Sequence, residues 1–328
     1  VGDLLSLSLR PRSFAEMVGQ DTNTDAIRHQ FNAGRDPKAF LLSGDAGTGK
    51  TSLARLIALS YQVPKNFGSP LQADWDNYAV YAIREINASD VNGVDEIRAI
   101  ADESRYVPPP GSRRRVYIID ECHRLTDASQ NVLLKYVEDA PLSTLWIFAT
   151  TNPSKMLKTL RDRCYALQMK VLDPDGIEKL IGRASEAIKF HGDLTSFFEA
   201  VVDYGVTSPR SLLNAFEKFA AGMPAKKSLT AGDNSVNSYS ACQAVVRADW
   251  GAVKSFLRDS EAEALRGFRL ALMGYLRGCV LKGSDISAPA AKLILALSGP
   301  PPYEDPAFSA WLVAIISQHI RSFRVGVV

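Results

Sequence analysis

The eight residues GDAGTGKT, Gly44–Thr51, constrain the fold of this 328-residue chain more than any other feature. They follow an apolar β-forming run, Ala39–Ser43 (AFLLS), and open a segment whose Leu53, Leu56 and Ile57 recur at helical spacing. Glycines at a strand-to-helix turn let successive backbone N–H groups face one anion, and the helix N-terminus adds its positive dipole end. A strand, a G-x-x-x-x-G-K-[ST] loop and a helix in this order form the phosphate-binding unit of a parallel α/β sheet. The candidate phosphate contacts are Gly44, Asp45, Ala46, Gly47, Thr48, Gly49, Lys50, Thr51 and Ser52. Lys50 can reach the terminal phosphates, and the Thr51 hydroxyl can ligate Mg²⁺.

A second pattern supplies the partner chemistry. VYIIDECH places two carboxylates, Asp120 and Glu121, at the end of a strand-like apolar run. A carboxylate at Asp120 can hold magnesium, and Glu121 is then placed to orient and deprotonate an attacking water. His123 has no partner histidine at a metal-ligand spacing (the others are His29, His191 and His319) and reads as a strand-end packing or hydrogen-bonding residue.

Around these motifs, β-rich runs alternate with helical patterns. The runs are Ala39–Ser43, Tyr81–Ile86, Arg115–Asp120, Leu145–Thr150 and Tyr165–Met169, and they predict a five-stranded parallel sheet covered on both faces. From Val171 the strand signals stop. Helical patterns follow over 176–190, 194–205 and 208–222, the last with Ser208 as N-cap and Pro209 at the first helical position. A stretch of small and polar residues reads as a linker. Helical patterns resume over 250–259 and 263–283, and after a proline-rich interruption in the last helix, Trp311–Ser322. The expected organisation is an α/β domain over 1–170, a helical lid over 171–223, a linker over 224–236 and an all-α domain over 237–328.

Composition limits the rest. The formal net charge is +2, so any polyanion site must be local. The four cysteines, Cys122, Cys164, Cys242 and Cys279, have no metal or redox spacing, which predicts a reducing compartment and no structural zinc. No apolar run approaches membrane-spanning length, and the expected location is cytoplasmic.

The order P-loop, IIDECH, FATTNPSK, LRDRC resembles the AAA+ ATPase subunits of DNA polymerase sliding-clamp loaders, both the bacterial gamma/tau subunit and the small subunits of replication factor C. RPRSFAEMVGQ, INASDVNGVDEIR and LTDASQNVLLKYVEDAP extend the resemblance to roughly residues 8–220. It implies ATP and Mg²⁺ as ligands, with Arg10, Pro11 and Val18 near the adenine. It implies that Arg163 reaches the ATP of a neighbouring subunit, although Asp162 replaces the family's serine. Thr151, or Asn152 if the motif slips by one, corresponds to the first sensor, and Arg210 to the second. An arginine in a helix's first turn opposes the dipole, which favours a functional role for Arg210. Arg98 corresponds to a contact with DNA phosphate, and Gln130 to a residue coupling its helix to neighbouring elements in the assembly. The implied partners are a sliding clamp, primer–template DNA and other loader subunits in a pentamer, without a membrane. No zinc is expected, because 62–82 has no cysteine where the bacterial subunit carries a four-cysteine module. The competing readings are another DNA-linked AAA+ ATPase (a helicase loader or fork-maintenance enzyme) and a non-hydrolysing scaffold subunit of a loader.

Overall fold

The structure is a computed structural model that describes residues 4–34, 36–62, 81–91, 93–204, 206–230, 241–260, 262–281, 286–299, 302 and 305–326. The chain packs as two units, Val1–His191 with Thr207–Glu217, and Gly192–Val206 with Lys218–Val328.

The first unit is built on strands β1 (Ala39–Ser43), β2 (Ile83–Asn87), β3 (Arg115–Asp120), β4 (Thr144–Thr150) and β5 (Tyr165–Gln168). They form one sheet in the order β2-β3-β4-β1-β5, with every pairing parallel. Its longer helices include α1 (Asp21–Asn32), α2 (Lys50–Gln62), α3 (Val94–Glu103), α4 (Asp127–Glu138) and α5 (Pro174–Ile188). Parallel strands need crossovers, so helices cover both faces and the inner strands β1, β3 and β4 are apolar runs without alternation. β4, in the middle, is buried at every position. Successive side chains point to opposite faces. Phe40, Leu42, Leu145 and Ile147 therefore join Leu53 and Ile57 of α2 in one core. Leu41, Trp146 and Phe148 join Ile97, Leu133 and Val137 of α3 and α4 in the other. Tyr117 stacks on its cross-strand partner Trp146 with ring centroids 4.7 Å apart.

The register sets up the site. Ser43 lies opposite Thr150, and Asn87 opposite Asp120, so the carboxyl ends of the central strands finish nearly level. Ligands of open parallel sheets bind at that edge.

The strand expectations differ from the structure only at ends. β2 begins at Ile83 and not Tyr81, because this is an edge strand whose pairing starts at Ile83 opposite Val116, leaving Tyr81 70% exposed. β5 ends at Gln168, although Met169 N still bonds Ser43 O at 2.7 Å.

Further helices among the described residues include α6 (Thr195–Tyr204), α7 (Pro209–Ala220), α8 (Ala225–Thr230), α9 (Trp250–Asp259), α10 (Ala262–Leu281), α11 (Ser287–Leu297) and α12 (Asp305–His319). α7 begins in the first unit. In the second unit Phe268, Leu272 and Leu276 of α10 are buried against Leu293, Leu297, Leu312 and Ile316, so this apolar stripe is used in the unit's own core. α11 escapes a periodicity search because its sequence, SAPAAKLILAL, is apolar almost all round. α12 starts at Asp305, earlier than its pattern suggested: Pro306 sits in the first turn, where no backbone donor is needed.

Within the stretch read as a linker, Ala225–Thr230 is helical, and 231–236 lies outside the described residues. Residues 63–80 also lie outside them, and the zinc expectation falls there. No helix among the described residues is long and apolar enough to cross a membrane.

Candidate nucleotide site

The loop Gly44–Thr51 leaves β1 and enters α2 with positive φ at Gly44 (149°), Gly47 (75°) and Gly49 (97°). Two of these positions also lack room for a side chain. A Cβ on Gly44 would stand 2.8 Å from Met169 O, and one on Gly47 would stand 2.4 Å from Ser208 Oγ. Lys50 is only 6% exposed, and its Nζ donates to Gly44 O and Asp45 O, both at 2.8 Å. Burial lowers the pKa of this ammonium, and the nearby Glu121, Asp120 and Asp45 partly offset that shift. The cation rests on loop carbonyls that phosphate oxygens can replace.

Beside it, Thr51 Oγ1 donates to Asp120 Oδ2 at 2.5 Å, and Asp120 Oδ1 accepts the Glu121 N–H at 2.8 Å. A hydroxyl and a carboxylate brought into contact fit a hard divalent cation. Among the described residues no group of three or more His, Cys, Asp and Glu side chains could hold a metal alone. A cation here would therefore take most of its ligands from phosphate and water, as Mg²⁺ does in phosphoryl-transfer sites.

Glu121 adopts a left-handed backbone (φ 50°), unusual for a residue with a side chain and typical of functional turns. Its Oε2 accepts from Thr151 Oγ1 at 3.4 Å and lies 3.3 Å from His123 Nδ1. His123 Nδ1 also lies 3.1 Å from Thr150 Oγ1, at a strand end as its sequence context suggested. Of the two adjacent candidates, Thr151 faces Glu121, whereas Asn152 Oδ1 accepts from Ser154 Oγ within its own turn. Thr150, fully buried, was missed. Its hydroxyl lies beside His123 Nδ1 and accepts from Asn152 N at 3.0 Å, and the sequence offers only a hydroxyl after the apolar run Leu145–Ala149.

A cleft of about 190 Å³ opens beside the loop. Arg10, Pro11 and Val18 line it from the N-terminal segment, Gly47, Thr48, Gly49 and Ser52 from the loop and α2, and Arg210 from the start of α7. The N-terminal segment is tied to the end of β5. Gln20 Nε2 donates to Lys170 O at 2.7 Å, and Asn23 Nδ2 to Gln168 O at 2.9 Å. Arg210 N lies 3.4 Å from Gly47 O, and Ser208 Oγ donates to Ala46 O at 3.3 Å, so Ser208 turns its hydroxyl to the loop and not to its own helix. Burial lowers the pKa of Arg10, Arg55 and Arg210 lower it further, and Glu85, which pairs with Arg55 at 2.8 Å, partly offsets that. Arg10 and Arg210, both lining the cleft, favour an anion there. Arg183, on α5, also lines the cleft and donates to Glu16 O at 2.8 Å. It carries no motif, and its sequence context gave no sign of it.

Arg163, Arg98 and Gln130 stand away from the cleft. Arg163 pairs with Glu138, and its Nη1 donates to Thr159 O at 3.3 Å. Its neighbour Cys164 turns inward, with Sγ donating to Leu160 O at 3.2 Å and burial pushing its thiol up to about 12. Arg98 pairs with Asp95 at 2.7 Å on the exposed face of α3. Gln130 is buried. It accepts from Leu157 N at 2.7 Å and donates to Leu125 O at 3.1 Å and Lys155 O at 3.3 Å. Among Arg113, Arg114 and Arg115, two have structural partners: Arg114 pairs with Asp36 over the Tyr61 ring, and Arg115 donates to Val107 O.

A parallel sheet in the order β2-β3-β4-β1-β5, with the loop after β1 and acids after β3, defines an AAA+ domain. The same fold occurs in the Thermotoga maritima RuvB Holliday junction branch migration motor (TM-score 0.52, 20% identity, 73% of this chain and 79% of that one). Within the class, residues 19–173 match the family described as DNA polymerase III, delta subunit. The chain is similar to the DNA polymerase III subunit gamma/tau of Mycobacterium tuberculosis, 37% identical over 221 residues, which is 65% of this chain and 38% of the relative. It is also similar to subunit gamma of Buchnera aphidicola, at 34% over 220 residues, 65% of this chain and 60% of the relative. Over these residues the chain is thus similar to DNA polymerase III gamma/tau and gamma subunits, and its match spans little more than a third of the mycobacterial relatives' length.

Proposed function

We propose that this chain binds and hydrolyses ATP as a subunit of a sliding-clamp loader, opening a clamp and placing it on primer–template DNA. One observation carries the catalytic part: Lys50, the Thr51–Asp120 contact and the Glu121–Thr151 contact all lie at one edge of the sheet. The sequence relationship to the gamma/tau subunits carries the loader part.

In this reading Lys50 and the loop amides hold the phosphates, and Arg210 meets the γ-phosphate from the lid side. Thr51 and Asp120 would hold Mg²⁺, which supplies charge neutralisation on the β- and γ-oxygens when bound. Glu121 takes the proton from the attacking water, and Thr151 orients that water. Arg10, Pro11 and Val18 border the base. Arg163 serves a neighbouring subunit's ATP in a pentamer, Gln130 couples α4 to the segment leading to Arg163, and Arg98 contacts DNA phosphate.

Replacing Lys50 with Met keeps the stem and removes the ammonium. A charge-assisted hydrogen bond contributes about 1.5–3 kcal/mol, so ATP affinity should fall roughly ten- to a hundredfold. Nucleotide titration and the loss of the ATP-induced rise in Tm check it.

The function is tested by steady-state ATP turnover, at fixed salt, with and without primed DNA and the cognate clamp. The expected result is stimulation that requires both. Turnover indifferent to the clamp would favour another DNA-linked AAA+ ATPase, and no turnover would favour a scaffold subunit.

A further inference from the structure

Building on the reading of Arg163 as the group offered to a neighbouring copy's ATP, we propose that Glu138 is its positioning residue. The Glu138 carboxylate stows the guanidinium against its own subunit until a phosphate competes for it.

Helix α4 grips the chain around Arg163 at both ends. Near its start, buried Gln130 accepts from Leu157 N and donates to Lys155 O. At its last residue, Glu138 pairs with Arg163 itself. Between these points Leu133 and Val137 share a core with Met156 and Leu160. The backbone leading to Arg163 is thus fixed by packing and hydrogen bonds, and the reach of the guanidinium becomes a choice of side-chain rotamer.

The ion pair is built to open. The Arg163 and Glu138 side chains are 46% and 41% exposed, and pairs in water contribute little. A γ-phosphate matches the guanidinium fork as a carboxylate does and carries more charge, so it wins the exchange. Release strands no charge. The Glu138 side chain is 41% exposed, so water solvates the vacated carboxylate, and Lys38, whose Nζ donates to the Glu138 main-chain carbonyl at 2.7 Å, lines the same surface recess. Glu138 therefore discourages Arg163 from extending before a nucleotide-bearing neighbour is aligned, which keeps unstimulated turnover low.

The test is steady-state ATP turnover of the full chain, without DNA or clamp, over a range of chain concentrations. Four forms are compared: parent, Glu138→Gln, Arg163→Ala and the double variant. Glutamine keeps the shape and removes the charge. Glu138→Gln should raise turnover by up to about fivefold, the ceiling for an exposed pair. The double variant should match Arg163→Ala, an epistasis that a merely structural role would not produce. A damaging Arg163→Ala beside an unchanged or slower Glu138→Gln overturns the inference alone. An increase that survives Arg163→Ala overturns it too, because Glu138 then acts elsewhere. A silent Arg163→Ala removes the reading of Arg163 on which the inference stands.

Discussion

Glu121→Gln will bind ATP as the parent does and turn it over about 10²–10⁴-fold more slowly, the usual contribution of a positioned general base. The two side chains have the same shape, and the amide oxygen can still accept from Thr151 Oγ1, which lies 3.4 Å from Glu121 Oε2. The neighbouring contacts should survive as well, since the Glu121 N–H bond to Asp120 Oδ1 comes from the backbone. Only the capacity to take a proton is lost. The left-handed turn at φ 50° holds the carboxylate beyond the end of β3, and glutamine accepts that backbone as readily as glutamate. The measurement pairs a nucleotide titration with single-turnover kinetics, which separates binding from chemistry. Undiminished turnover would remove Glu121 from the base position. A parallel loss of affinity would mean that the residue holds the site together and does not act on water.

The residues that had to be legible in the sequence were those whose local chemistry is peculiar. Glycines at 44, 47 and 49, a lysine, and acids after a four-residue apolar run have few explanations besides phosphate binding, and the structure brings them to one sheet edge. The strands were legible for a related reason: burial on both faces demands unbroken apolar runs, as in Val116–Ile119 and Leu145–Phe148. What escaped was encoded by context alone. Thr150 is one more strand hydroxyl until the register sets it beside His123. Arg183 is one more helix arginine until Glu16 and the cleft come to meet it. α11 escaped because a helix apolar on every side has no period to detect. The cysteine of LRDRC faces inward while the arginine before it faces out, a division that adjacent positions in sequence could not announce. The cations share a further feature. Lys50 rests on loop carbonyls, Arg163 on Glu138 and Arg98 on Asp95. Each has a local partner weak enough for a polyanion to replace, because carbonyls and exposed carboxylates hold a cation less firmly than phosphate does.

Arg163→Ala should leave ATP affinity near that of the parent and lower turnover on the order of a thousandfold, the low end for arginine fingers. The structure keeps Arg163 outside the cleft of its own chain, paired with Glu138 and carried on a segment anchored by Gln130. A group so placed can stabilise charge on a transferring phosphoryl only if the phosphate belongs to another copy. That geometry makes a sharper test available than the single variant. Lys50→Met cannot hold ATP well but still presents Arg163, whereas Arg163→Ala holds ATP and presents nothing. At ATP concentrations that saturate Arg163→Ala but lie well below the dissociation constant of Lys50→Met, each should be nearly inactive alone. Mixed in equal amounts, they should recover activity at boundaries where an Arg163→Ala chain's ATP meets a Lys50→Met chain's arginine. Random assortment of a head-to-tail contact makes that about one boundary in four. Recovery that grows with chain concentration puts the arginine in trans. Loss without recovery at any concentration would mean that Arg163 acts within its own chain, which would require the segment from Lys155 to Arg163 to break free of α4.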